Sequence, residues 1–247
     1  PSQSSAASDV YKRQIQWYSP GNGTVLSSHE VSLGYKKTQD PSIYVMFRKP
    51  DEEKTYYLAW TTTPWTTISN MALTINPKLD YVKLAHDHNN YIIAKDCVER
   101  VFGKEVTIIE EFKGKELLGN KYLPIFDYAL QEYDIEQAWK IIPASYVTID
   151  DGTGIVHTAP AYGADDYDAC VKAQIPMFNP IDRDGYFTDQ VPEFRGQWFK
   201  EADKGIVKAI KKKGHMFRHE TFEHNYPFDW RKGCLLYTSD AADDCEG

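Results

Sequence analysis

The sequence has few cysteines, no long apolar run and no excess of positive charge, and each shortage removes a class of protein. Cys97, Cys170, Cys234 and Cys245 are scattered through 247 residues without a C-x-x-C spacing. Neither a disulfide framework nor a zinc site is indicated, and no metal is expected. No stretch approaches the roughly 18 consecutive apolar residues of a membrane-spanning helix, and the N-terminus lacks an apolar signal core. The chain is therefore expected in the cytoplasm, away from any membrane. A formal net charge of −8 argues against a general binder of phosphate backbone, which needs a basic surface. A pocket for one nucleic-acid end remains possible on that charge. The G-x-G-x-x-G phosphate loop and the G-x-S-x-G nucleophile elbow are both missing, and no Cys–His pairing presents itself. His86 and His88 lack a carboxylate or cysteine at ligand spacing and read as loop polars.

What is present is a globular composition, 42% hydrophobic with 17 tyrosines and 6 tryptophans, enough for one large domain or one domain with arms. Residues 1–14 and 238–247 are small and polar, without a hydrophobic period, and read as disordered or non-native tails. Residues 15–43 are expected to form a stalk and 44–223 the main domain, with 224–237 a return arm. From Ile15 through Val31 the pattern is strand, turn, strand, with Gly21-Asn22-Gly23 supplying the tight turn. Strands are expected at Ser42–Lys49 and Thr55–Thr63, in a hairpin at 81–94 around Asp87–Asn90, at Val106–Ile109, and in the alternating run Tyr146–Ile149. Lys95–Phe102 reads as a short helix ended by Gly103. Phe199–Lys213 reads as a helix with Phe199, Ala202, Ile206, Ala209 and Ile210 on one stripe and Gly214 as the stop. Lys211-Lys212-Lys213 matches the helix dipole on a solvated face.

Two stretches carry the chemistry. In L-A-W-T-T-T-P-W-T-T-I-S-N, Leu58–Asn70, a β-branched run ends at Pro64, which removes a backbone donor and stops the ladder. Alternation sends Thr61 and Thr63 to one face and Thr62 to the other. Such a row is either a Thr-rich edge strand or a rim of donors and acceptors for a polar ligand. In the second stretch, Gly152-Thr153-Gly154 feeds the strand Ile155-Val156, His157 ends it, and Asp165-Asp166 opens a helix reaching about Ala173. Neighbours on a helix do not share a face, so the two aspartates should differ in role. One can cap the helix while the other points toward His157 and the threonines, or both can serve as first-turn caps.

Together, W-T-T-T-P-W-T-x-x-S-N (60–70) and G-T-G-I-V-H-T-A-P-A-Y-G-A-D-D-Y (152–167) resemble the editing domain of the isoleucyl-tRNA synthetases. Ile15–Pro20, Ser27–Gly34 and H-N-Y-P-F-D-W-R (224–231) are similar to further stretches of that family, so the resemblance covers roughly 15–237. Valyl and leucyl relatives carry T-T-R-P where this chain has T-T-P-W (62–65), and valyl ones lack the histidine. Asp229 stands where the family has cysteine. Neither H-I-G-H nor K-M-S-K-S occurs, so the chain looks like a fragment without the ATP-dependent charging core.

The resemblance implies a mixed, β-rich α+β fold: a barrel-like module with peripheral helices and a β-ribbon stalk. It implies deacylation of valine mischarged on tRNA(Ile). The limit on a single pocket is about 1–3 kcal/mol per methylene, for which isoleucine against valine is the standard worked example. No cofactor is implied for editing, since ATP and Mg would serve only the absent core. The implied partners are the valine-bearing acceptor end of tRNA(Ile) and the rest of the synthetase, in a monomer. By the same resemblance Asp166 binds the α-ammonium and His157 walls the pocket. Thr61, Thr62, Thr63, Trp65 and Asn70 shape it and hold the adenosine end and a water; which threonine orients the water stays open. An inert fragment, or a valyl or leucyl editing domain, are the competing readings.

Overall fold

The computed structural model describes residues 15–134, 136–233 and 236–240. Strand β1 (Ile15–Ser19) turns through Gly23, at φ 62°, into β2 (Thr24–Leu26). The expected continuation as strand through Val31 is instead a helix, α1 (Ser28–Ser32). The reason is local. The Glu30 N–H donates to Ser27 Oγ at 3.4 Å, and the Ser27 N–H donates to Glu30 Oε2 at 3.1 Å, a reciprocal cap that satisfies helix-start donors.

The long strand β3 (Tyr35–Arg48) leads into β4 (Thr55–Thr61). A 3₁₀ turn, Pro64–Ser69, precedes β5 (Ala72–Ile75). The hairpin β6 (Asp80–His86) and β7 (Asn89–Ala94) is as expected, with Asp87 and His88 at positive φ in its tip. The His86 ring is no idle loop polar: it packs 5.1 Å from Phe102 within an aromatic group that includes Tyr91 and Phe217. Helix α2 (Val98–Phe102) ends at Gly103. Then come β8 (Thr107–Lys113), α3 (Gly114–Leu117), β9 (Lys140–Pro143) and β10 (Ile155–Thr158). Tyr146–Ile149, expected as a strand, is irregular. The paired segment lies earlier because Ala72–Ile75 accepts Lys140–Pro143 in parallel register. Helices α4 (Ala164–Lys172) and α5 (Phe199–Lys212), then β11 (Met216–Pro227) and β12 (Tyr237–Asp240), complete the order. The tail expected from 238 therefore begins as strand, with Thr238, Ser239 and Asp240 opposite Trp17, Gln16 and Ile15. Residues 1–14 and 241–247 lie outside the described residues.

Strand β4 is the hub. Along one edge it pairs antiparallel with β3, from Ile43↔Thr61 to Arg48↔Tyr56. Its other edge is divided: β7 runs parallel beside Thr55–Tyr57, and β10 runs parallel beside Trp60. The nine-stranded sheet, ordered β8-β6-β7-β4-β10-β5-β9 with β3 and β11 beyond β4, curls into a half-barrel around that fork. This is the mixed, β-rich architecture expected from the sequence. A second sheet, β12-β1-β2, is antiparallel. Tyr35–Pro41 and Thr221–Pro227 form the outer part of a two-stranded ribbon. Asp229, fully buried, pins the chain beyond it. Its carboxylate accepts from the Ser19 hydroxyl, the Asn22 amide and the backbone N–H groups of Arg231 and Lys232.

Inside the curl, Phe47, Tyr57, Leu58, Leu73, Tyr122 and Trp139 are fully buried. The apolar stripe of α5 is buried as expected, with the Phe199 ring 4.6 Å from that of Trp65. The Gly152–Gly154 loop is clamped by Arg100, whose guanidinium donates to the carbonyls of Ile149, Asp150 and Gly152. Gly154 sits at φ 69°, and a Cβ there would lie 2.3 Å from Ala94 Cβ. Gly154→Ala combines left-handed strain of about 1–2 kcal/mol with overpacking of about 1–3 kcal/mol. We expect it to lower the unfolding free energy by about 2–5 kcal/mol, read from a lower midpoint in equilibrium urea unfolding.

Candidate functional site

Strands β4 and β10 run parallel, so their C-terminal ends open at the same place, and a cavity of about 300 Å³ lies there. Trp60, Thr61, Thr62 and Thr63 line it from β4 and the following turn, with Thr66 from the 3₁₀ segment. Val156, His157 and Ala159 line it from β10, and Tyr162 and Asp166 from the loop and first turn of α4. The two sequence stretches thus meet across one hollow. All three threonines of the T-T-T run reach it. Alternation alone would turn Thr62 away, but the strand ends at Thr61 and the chain bends before the next residue can take the opposite face.

Trp65 and Asn70 are placed differently from the rest. Neither lines the cavity: Trp65 is 2% exposed and Asn70 6% exposed. The Trp65 ring is packed between Tyr162 and Phe199, with centroids 4.6 Å away on each side. Asn70 acts from behind the wall. Its Nδ2 donates to the Ala72 carbonyl at 2.9 Å and to His157 Nδ1 at 2.8 Å, while Oδ1 accepts from the Tyr122 hydroxyl at 2.7 Å. The Asn70 carbonyl accepts from the Trp139 indole at 2.9 Å.

These contacts settle the tautomer of His157. The Ala72 carbonyl only accepts, so the Asn70 NH₂ faces it and also donates to Nδ1. The ring proton is then on Nε2, which donates to Thr66 Oγ1 at 3.0 Å, and Thr66 in turn donates to the Thr63 carbonyl at 2.8 Å. Both ring nitrogens are engaged, and the ring stacks on Phe47 at 6.4 Å. Burial pushes the imidazole pKa down from 6.5 to about 4. His157 is a neutral, immobilised wall that cannot take a proton from a substrate at neutral pH.

Asp166 is the charged group of the cavity. Oδ2 accepts the Ala159 N–H at 2.9 Å and Oδ1 accepts the Tyr146 hydroxyl at 3.0 Å. Burial raises its pKa from 3.8 to about 6, against the pull of those two donors. Among the described residues no lysine, arginine or histidine forms an ion pair with it. Asp165 is exposed, and the α4 N-cap is Gly163, with no side-chain cap. Neither aspartate is therefore the capping residue; one faces solvent and one the cavity. Thr61, Thr63 and Thr66 hydroxyls bond one another, at 3.2 Å for 61–63 and 3.3 Å for 63–66. Thr62 Oγ1 alone of the row has no hydrogen-bond partner among the described residues.

Sequence reasoning missed Tyr146, Thr66, Tyr122 and Tyr162. Thr66 sits inside the quoted motif and was readable as a fourth hydroxyl. Tyr162 likewise sits inside the second quoted motif, whereas Tyr122 and Tyr146 are brought in by tertiary packing and carry no local signal.

No protein-family model matches the chain. Over 230 residues it is 46% identical to an isoleucine–tRNA ligase of Clostridium kluyveri, covering 92% of this chain and 22% of that one. It is 44% identical over 223 residues to that of Clostridium novyi, covering 90% and 21%. The chain thus spans about a fifth of the length of the curated relatives it matches. Among solved structures, the editing domain of the cytosolic leucyl-tRNA synthetase of P. knowlesi superposes with a TM-score of 0.54 at 13% identity. That match covers 84% of this chain and 99% of the other. It bears on the fold.

The buried ring makes a checkable claim. An unfolded chain binds a proton at His157 near pH 6.5, whereas the folded chain refuses it until about pH 4. The stability this neutral ring contributes is therefore complete above pH 6.5 and is lost as pH falls through about 4. The His157 Cε1–H resonance, followed by NMR, is expected to titrate near pH 4, and a midpoint near 6.5 would contradict the hydrogen-bonded, buried ring.

Proposed function

We propose, from the premise that this chain belongs to the isoleucine–tRNA ligase family and has the fold of a synthetase editing domain, that its cavity hydrolyses the ester of valine mischarged on tRNA(Ile). The observation that carries the reading is the lone carboxylate of Asp166: half-buried, held by two donors, and without a cation of the described residues beside it. A site built this way is completed by a cation from the ligand, and the α-ammonium of an aminoacyl ester supplies one. At about 300 Å³ the cavity lies at the small end of ligand pockets, suited to an amino acid and the ribose edge it is attached to.

In the reaction a water adds to the ester carbonyl, the bond from that carbon to the ribose oxygen breaks, and the oxygen leaves with a proton from the water. His157 is neutral and doubly hydrogen-bonded, so it gives shape rather than proton transfer, admitting valine and obstructing the extra methylene of isoleucine. With the other hydroxyls tied together, Thr62 is the donor available to the carbonyl oxygen or the attacking water. Catalysis here is positioning in a partly dehydrated hollow. No cofactor is needed for this step, and ATP with Mg would belong to the charging core of the full-length relatives. The ribbon of β3 and β11 is the connection to that remainder. The acidic balance of the chain, net −8, favours a second reading in which the isolated chain grips tRNA too weakly to act. Deacylation of Val-tRNA(Ile) at low salt by the purified chain separates the two.

Asp166→Ala is expected to lower Val-tRNA(Ile) deacylation by roughly 10²-fold or more, the scale of losing a substrate-positioning group, with the fold intact by circular dichroism. Hydrolysis at the wild-type rate would remove Asp166 from the site. His157→Ala is expected to extend cleavage to Ile-tRNA(Ile), since opening the wall by several heavy atoms exceeds the methylene it must exclude. Cleavage confined to the valyl ester would place the discriminating wall elsewhere.

A further inference from the structure

The apolar stripe of α5 contains one residue that does not belong to it. Asp203 lies on the buried face with Phe199, Ala202 and Ile206, and it is 3% exposed. Its Oδ1 accepts the backbone N–H of Trp65 at 2.9 Å. Its Oδ2 is 2.9 Å from Lys200 Nζ, and the same ammonium is 2.7 Å from Asp40 Oδ1 on the ribbon strand β3. Lys200 and Asp40 are themselves largely covered, with side chains 19% and 6% exposed.

The N–H that Asp203 receives has a particular place in the chain. Pro64 has no donor, so the Trp65 N–H is the first backbone donor after the threonine row. It sits at the start of the 3₁₀ turn, where no intrahelical acceptor exists for it. In a buried position that donor needs a partner, and a charged acceptor gives the stronger bond. The turn it fixes carries Thr66, whose Oγ1 accepts from His157 Nε2, and Asn70, which supplies the other half of the ring's hydrogen bonding. The packing of Trp65 on Phe199 holds the same joint from the side-chain direction.

We propose that Asp203 is a positioning residue for the editing reaction, holding the threonine row and the His157 wall in register by anchoring the Trp65 N–H. Lys200 and Asp40 fix the orientation of its carboxylate. This rests on the editing reading of the cavity. Asp203 touches no substrate and acts only through the backbone of the turn.

The test compares two variants. Asp203→Asn keeps the volume but replaces one carboxylate oxygen with an NH₂, so it cannot accept from both the Trp65 N–H and Lys200, and Asp203→Glu keeps the charge but moves the acceptor outward by one methylene. Deacylation of Val-tRNA(Ile) gives kcat and KM, and hydrogen–deuterium exchange over residues 61–70 reports the anchor without reference to activity. With the anchor as proposed, Asp203→Glu loses on the order of 10²-fold in kcat at little changed KM, the cost of a displacement of about 1 Å. Its exchange over 61–70 quickens while that of β6 and β7 does not, and Asp203→Asn moves both readouts in the same direction. Wild-type kcat in Asp203→Glu, a change confined to KM, or faster exchange spread equally over β6 and β7 overturns the proposal. If the wild-type chain does not deacylate, the editing reading fails first. Exchange then decides the anchor alone, and unchanged rates over 61–70 in Asp203→Glu overturn it. Should Asp203→Glu not fold, wild-type kcat and unchanged exchange over 61–70 in a folded Asp203→Asn overturn it equally.

Discussion

The hydrogen bond from Asn70 to His157 Nδ1 is the contact on which the site depends. It fixes which nitrogen of the ring carries the proton, and so makes Thr66 Oγ1 the acceptor from the ring. Asn70 can hold that orientation because its own groups are all committed, to Ala72, Tyr122 and Trp139. Trp139 adopts φ 51° while its indole reaches the Asn70 carbonyl, a left-handed conformation that costs about 1–2 kcal/mol for a bulky side chain. The surrounding core, fully closed over Trp139 and Tyr122, offsets that cost. Rigidity in the cavity wall is thus produced behind it, by groups that a ligand never meets.

The same division explains how a hollow lined by hydroxyls can be polar without being reactive. A serine or threonine becomes a nucleophile when a base lies beside it ready to take its proton. Here the neighbouring imidazole already donates to Thr66 and is held neutral by burial. The one carboxylate is occupied by the Ala159 N–H and the Tyr146 hydroxyl. The arrangement offers the hydroxyls no free base and leaves recognition of charge and shape as the available work.

Much of this was legible in the letters. Thr-Thr-Thr-Pro marks a strand that stops, and Gly-Thr-Gly before Ile-Val-His marks a loop feeding a strand. Placing the two together follows once β4 and β10 are parallel neighbours, though the sequence contains nothing local that states the pairing. The helix α5 and the β6–β7 hairpin were readable because period and stop signals agree. Helix α1 was not, since a strand-like run overshadowed the S-x-x-E cap. Tyr146–Ile149 alternates like a strand yet finds no partner, because β5 is already taken by β9 and β10. Trp65 and Asn70 read as cavity residues from their place in the motif. Only packing shows that one supports the turn and the other supports the histidine.

Buried charge is where sequence reading was blindest and where the fold is most specific. Asp203 was invisible because the eye follows the apolar stripe and passes over the residue that breaks it. Two carboxylates and one ammonium, mostly withdrawn from water, contribute little net stability compared with apolar packing of the same volume. Their value is directional. An aspartate in that position accepts from one backbone N–H only when the turn stands in one place, and a leucine would accept several placements equally well. The ribbon strand β3, the helix α5 and the threonine turn meet at this cluster. A displacement of the ribbon must therefore move Asp40 relative to Lys200, and Lys200 relative to the carboxylate that holds the turn, before it can reach the cavity.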